Sequence, residues 1–110
     1  MNDETFAIVV RDDGCLVECH GRVAGAHATE LRNQVKPLIG KAKKITLDFT
    51  AVTYMDSLGL GVIAALYVSA RSAGGQLEVL NLSPRIRELF SVSRLLSLFE
   101  PAGQSGVRIP

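Results

Sequence analysis

Between Ile45 and Ser72 the spacing of apolar residues changes once, from two to three or four, and this change limits the folds open to the chain. Ile45, Leu47 and Phe49 alternate with Thr46, Asp48 and Thr50, the period of a strand with one buried face. That strand runs on through Ala51 to Met55 and hands over at Asp56-Ser57 to a helix over 57–72, ended by Gly74-Gly75. Residues 76–82 then read as a strand rich in Leu and Val. Asn81-Leu82-Ser83-Pro84 announces a further helix, because Ser83 can cap it and Pro84 suits its first position; Leu89 and Phe90 supply its apolar contact. Upstream, Phe6, Ile8 and Val10 share one face of a strand over 5–11, Asp12-Asp13-Gly14 offers a turn, and 15–20 pairs back as a hairpin. After Gly21, Ala28, Leu31, Val35 and Leu38/Ile39 recur at helical spacing, with Pro37 kinking or fraying the last turn. The order is that of an α/β (α+β) fold: a mixed sheet of four to five strands with helices packed mainly on one face.

With 110 residues, 47% of them hydrophobic, the chain is sized for one core. The reading is a single domain over 1–100 and a flexible C-terminal tail over 101–110, because 101–106 holds too little apolar surface to pack. Residues 95–99 would add at most a short turn or strand. Twelve Lys and Arg against 11 Asp and Glu leave almost no net charge to attract a polyanion, so nucleic acid is not an expected partner. The acidic start, Met1 to Glu4, has no secretory character, and the nearly uncharged run 57–70 is shorter than the roughly 20 residues a membrane span needs. A cytoplasmic protein with no membrane insertion is expected.

Cys15 and Cys19 lie on one predicted strand, where four residues separate Cα atoms by about 13 Å, beyond the ~7 Å reach of a disulfide. They read as reduced, core-facing thiols, and His20 and His27 complete no metal-ligand set with them. No metal or cofactor is expected. Lys41-Ala42-Lys43-Lys44 reads as a solvated connector.

Asp56 and Ser57 stand where a strand becomes a helix, so the first free N–H groups of that helix point outward near the Ser57 hydroxyl and favour an anion. Either residue could also simply cap the helix. Gly59 and Gly61 follow in the first turns, where each weakens a helix by about 0.5–1 kcal/mol relative to Ala, a penalty that calls for close approach of another backbone, internal or external. Leu58, Leu60, Val62, Ile63, Leu66, Tyr67 and Val68 surround more of the helix than one core-facing stripe requires, which makes Leu58, Leu60 and Val62 candidates for a docking surface. An enzyme reading would make Ser57 a nucleophile, yet the segment lacks the Gly-x-Ser-x-Gly elbow and neither His has a claim as its base. No Gly-Lys-Ser/Thr follows Gly59-x-Gly61 to suggest a nucleotide site.

Ile45-Thr46-Leu47-Asp48-Phe49, followed by Val52-Thr53-Tyr54-Met55-Asp56-Ser57-Leu58-Gly59-Leu60-Gly61, resembles the strand, connector and phosphorylation loop of the STAS domain, specifically of the bacterial anti-sigma factor antagonists. Gly74-Gly75-Gln76-Leu77-Glu78-Val79-Leu80-Asn81-Leu82-Ser83-Pro84, continued by Ile86, Leu89, Phe90 and Leu95, is a second match, and the likeness spans roughly 6–99.

The resemblance implies a single STAS-like domain whose unphosphorylated form binds an anti-sigma factor, often itself a serine kinase, and so frees a sigma factor. Ser57 matches the family's phosphoserine, directly after the matching Asp56. Partner binding is assigned to Asp56, Ser57, Leu58, Gly59, Leu60, Gly61 and Val62; ATP and magnesium belong to the kinase, and a phosphatase restores binding. Ala24 stands where many phosphorylated relatives carry an acid, and Leu58 where they often have a second Ser or Thr. The chain also stops soon after Phe99, short of the family's last amphipathic helix, so an uncovered apolar surface is expected for a partner or a homodimer. The competing reading is a non-switching adaptor or scaffold subunit of a lipid-transport or signalling assembly, in which Ser57 only caps its helix.

Overall fold

Ile45, Leu47 and Phe49 are almost wholly buried along β3 (Lys44–Met55), while Thr46 and Asp48 between them stay partly open. A strand with that pattern needs cover on one face. In the computed structural model, which describes residues 6–10, 14–92 and 108–109, helices provide it. The remaining elements are β1 (Phe6–Val10), β2 (Gly14–Val23), α1 (Gly25–Val35), α2 (Ser57–Ser72), β4 (Gln76–Leu80), α3 (Pro84–Val92) and the two-residue β5 (Arg108–Ile109).

The strands lie in the order β1-β2-β3-β4-β5. β1 and β2 form the expected antiparallel hairpin, β2–β3 and β3–β4 are parallel, and β5 pairs antiparallel with β4. Parallel neighbours need a crossover between them, and α1 and α2 are those crossovers. Leu31 and Val35 of α1, Ile63 and Leu66 of α2, and Ile86 and Phe90 of α3 join the inward strand residues in one core. This is the mixed four- to five-stranded α/β sheet that the apolar spacing implies. No helix among the described residues is long and apolar enough to cross a membrane.

Three boundaries differ from the sequence reading, the simplest being that β4 ends at Leu80 and not at residue 82. Gly21 does not end the second strand: β2 continues to Val23, pairing Arg22 with Tyr54 and Val23 with Met55, with irregular register at Glu18/His20 and Gly21/Arg22. Gly21 sits at φ +75°, a left-handed conformation that glycine enters without a Cβ penalty, and Thr53 Oγ1 donates to its carbonyl at 3.1 Å. At each irregularity β3 carries one extra residue, and β2 stays paired with it to its end at Met55. At the other end of α1, Pro37 tightens the chain into a 3₁₀ turn over Lys36–Leu38 in place of a frayed α turn. The expectations for 95–99 and for 101–106 fall outside the described residues; 108–109 pair with Leu80 and Val79.

Asp48 ties β3 to the loop that launches α3. Its Oδ1 accepts from Thr50 Oγ1 at 2.6 Å, Thr50 N–H at 3.0 Å and Asn81 Nδ2 at 3.1 Å. Asn81 is held at φ +62°, and two residues later Ser83 Oγ caps α3 by accepting Ile86 N–H at 3.2 Å, as Ser83-Pro84 foreshadows. Partial burial raises the Asp48 pKa, but the Thr50 and Asn81 hydrogen bonds and nearby His20 together outweigh it and hold the carboxyl below its ordinary value of 3.8. The folded protein therefore binds this proton less tightly than the unfolded chain. The stability it contributes is present above the ordinary value and is lost as pH falls through the lower folded value. Urea melts at neutral pH and near pH 3 should show a fall in midpoint on acidification that is smaller in Asp48→Asn. At neutral pH that variant should lose about 1–2 kcal/mol, the worth of hydrogen bonds to a charged acceptor.

Candidate functional site

A single residue, Asp56, separates the last residue of β3 from the first of α2. It is the α2 N-cap, with extended backbone at φ −116°, ψ −174°, and its Oδ1 accepts Gly59 N–H at 2.9 Å. The other oxygen, Oδ2, accepts Gly25 N–H at 3.2 Å from the start of α1. Between the two capping readings the geometry therefore selects Asp56. Ser57 is left exposed at the first position of α2, its hydroxyl without a hydrogen bond among the described residues. It stands at the positive end of the helix dipole, where added negative charge is favoured.

The two glycines have different reasons. A Cβ on Gly59 would overlap the carbonyl oxygen of Val23 and come within 3.1 Å of Met55 Cγ, so Gly59 is required by internal packing of α2 against the end of β2. A Cβ on Gly61 would meet nothing within 4 Å, and Gly61 is exposed. Of the residues assigned to partner binding, Ser57, Leu58 and Gly61 are exposed and Asp56 and Leu60 half-buried. Gly59 and Val62, assigned to partner binding as well, are buried, Val62 at 7% exposure, on the side of α2 that packs on the core. What α2 does present outward is a stripe of Leu58, Gly61, Ala65 and Val68, with Leu58 47% and Val68 57% exposed. These positions recur at helical spacing on one face.

At the end of β3, Tyr54 is 48% exposed, and the Arg22 guanidinium lies over its ring, 5.8 Å from the centroid. Tyr54 and Met55 also line a cleft of about 470 Å³ with Arg85, Ile86, Glu88 and Leu89 of α3. No sequence pattern announces these neighbours, because the Arg22–Tyr54 pairing depends on the extra residues of β3 at the two register shifts and the α3 wall on tertiary packing. The same is true of the Asp56–Gly25 bond, which joins residues 31 apart in the chain. Away from the site, Cys15 and Cys19 are buried free thiols; burial, with help from the Asp48 charge, pushes the Cys19 thiol up to about 12, which keeps it protonated and unreactive.

Comparison with known proteins places this geometry. The STAS domain model matches residues 5–105. BtrV of Bordetella bronchiseptica, named as an anti-sigma factor antagonist, is 33% identical over 92 residues, covering 82% of this chain and 79% of the relative. The anti-sigma-B factor antagonist of Bacillus subtilis is 30% identical over 89 residues, covering 81% and 82%. Among solved structures, the Bacillus cell fate determinant SpoIIAA in its phosphorylated form superposes with a TM-score of 0.69 at 22% identity, covering 82% of this chain and 84% of that one. A family match over nearly the whole length and relatives 33% and 30% identical over about four-fifths of the chain agree: this chain belongs to the STAS domain family.

Proposed function

We propose that this protein is an anti-sigma factor antagonist whose unphosphorylated form binds an anti-sigma factor serine kinase, and that phosphorylation of Ser57 ends the binding. The observation that carries the reading is the division of labour at the start of α2: Asp56 takes the cap, and the adjacent serine is exposed, its hydroxyl unengaged among the described residues. A phosphate can therefore be added without taking away the α2 cap or unfolding that turn. Two relatives carrying antagonist names, each aligned over about four-fifths of this chain, support the same reading. So does the fold shared with SpoIIAA, whose phosphorylated form has been solved. The chain acts in the cytoplasm as a binding module, not as an enzyme; the kinase brings ATP and magnesium, and a phosphatase resets the site.

The docking surface consists of Ser57, Leu58, Leu60 and Gly61, continued along α2 by Ala65 and Val68. Gly61, with open space around it, lets a partner backbone approach the helix closely. Gly61→Ala should accordingly raise thermal stability, by up to about 1 kcal/mol through helix propensity, while weakening partner binding. A melt paired with a binding titration reads both; stability and affinity rising together would remove Gly61 from the interface.

The reading is tested by incubating the protein with each candidate serine kinase of its genome and ATP-magnesium, followed by intact and peptide mass measurement. One phosphate on Ser57, absent from Ser57→Ala, is expected. Absence of phosphate with every kinase would favour the non-switching scaffold, and phosphate on another residue would move the switch elsewhere.

A further inference from the structure

Asp56 serves two helices with one carboxylate. The N-cap of α1 is Ala24, extended at φ −153°, ψ 151°, with no side chain able to accept a hydrogen bond and no acid in the first turn. The four leading N–H groups of a helix need acceptors from outside it. Here one is brought from the opposite half of the chain: Gly25 turns to φ +53°, and its N–H donates to Asp56 Oδ2 at 3.2 Å. The space beside Gly25 is open, so glycine is explained by this left-handed turn and not by crowding. Meanwhile Asp56 Oδ1 holds Gly59 of α2 at 2.9 Å, and α2 also has no acid in its first turn. Two helix N-termini, each carrying partial positive charge, thus share a single negative group.

We propose that Asp56 is a positioning residue that couples the first turn of α1 to the charge at Ser57, so that modification of Ser57 is felt at Gly25–Ala28 as well as on α2. This rests on the reading of Ser57 as the modified residue. A phosphate carries a charge of about −1.5 to −2 and strong acceptor oxygens. Placed on the residue next to Asp56, it repels the carboxylate and competes for the same N–H donors. The weaker hold is the longer one, on Gly25. Its loss leaves α1 with no side-chain cap, since Ala24 cannot replace it. Gly25, Ala26 and Thr29 are exposed, so a partner that touches this end of the molecule meets an altered surface on α1 too.

The test uses amide hydrogen exchange and ¹H–¹⁵N spectra of the full chain. Asp56→Asn preserves shape but leaves one oxygen to accept and an amide that can only donate. Gly25 N–H should exchange about tenfold faster, as expected for loss of one hydrogen bond to a charged acceptor, while Leu47 and Leu66 keep their protection. Adding Ala24→Ser gives α1 an acceptor of its own in the extended N-cap conformation that the role requires, and the double variant should recover protection of the α1 first turn. In kinase-treated protein the Gly25 resonance should shift, and shift less when Ala24→Ser is present. Unchanged exchange at Gly25 in Asp56→Asn would overturn the proposal. So would acceleration of all amides together, core included, without rescue by Ala24→Ser. The Asp56→Asn arm needs no phosphate and tests the Asp56–Gly25 link whatever becomes of Ser57, whereas an unshifted Gly25 resonance in protein carrying phosphate on Ser57 would overturn the coupling and leave the proposed function standing.

Discussion

Gly59→Ala is expected to destabilise the protein by about 3 kcal/mol, the upper part of the range for forcing atoms into a packed site. Alanine is the better helix former by about 1 kcal/mol, so on an open helix the substitution would stabilise. At position 59 the added carbon falls on the Val23 carbonyl oxygen, with the Val23 carbonyl carbon at 3.2 Å behind it. Neither can retreat cheaply, because Val23 is paired in register with Met55 at the end of the β2–β3 ladder. Relief must come from tilting α2, which disturbs Ile63 and Leu66 in the core and the Asp56–Gly59 cap together. Urea titration of Gly59→Ala beside Gly61→Ala checks the argument with one chemical change at two sites in the same helix. Opposite signs are expected; equal effects would show that the packing against Val23 does not constrain the helix.

Ser57→Asp is expected to weaken binding of the anti-sigma factor kinase about 100-fold, or roughly 2.7 kcal/mol, while Ser57→Ala retains the affinity of the unmodified protein. The neutral hydroxyl sits beside half-exposed Leu58, and a partner covering both removes them from water at little penalty. A carboxylate at the same place must give up its hydration, and it meets Asp56, whose two oxygens already hold Gly59 and Gly25 and which cannot move aside without uncapping a helix. Phosphate, with about twice the charge, should act more strongly still. The aspartate variant should remain folded, since residue 57 is exposed and a negative group there suits the α2 dipole, with any loosening confined to the Asp56–Gly25 bond. Calorimetric titration, with a melt as control, separates lost binding from lost folding.

The parts of the fold that could be read in advance are those governed by local chemistry. Alternation at Ile45, Leu47 and Phe49, the change of period after Asp56, and Ser83-Pro84 before α3 each depend on residues within a few positions of one another, and the structure follows them. The continuation of β2 past Gly21 depends instead on the length of β3, to which it pairs. At the site, Asp56 and Ser57 were both legible as first-turn residues, but their division of roles required the positions of the oxygens. Helical periodicity does not reveal that Val62 faces the core and Leu58 solvent when both sides of α2 are apolar. Gly59 and Gly61 likewise look alike in the sequence; only the path of β2 over one of them tells them apart.

The central claim, that a charge at Ser57 governs partner binding, is tested most directly by titrating one preparation of the kinase with the protein before and after stoichiometric phosphorylation. Tight binding of the unmodified form and a loss of at least 100-fold on phosphorylation, reversed by phosphatase treatment, is the expected result. Equal affinity of the two forms would contradict it.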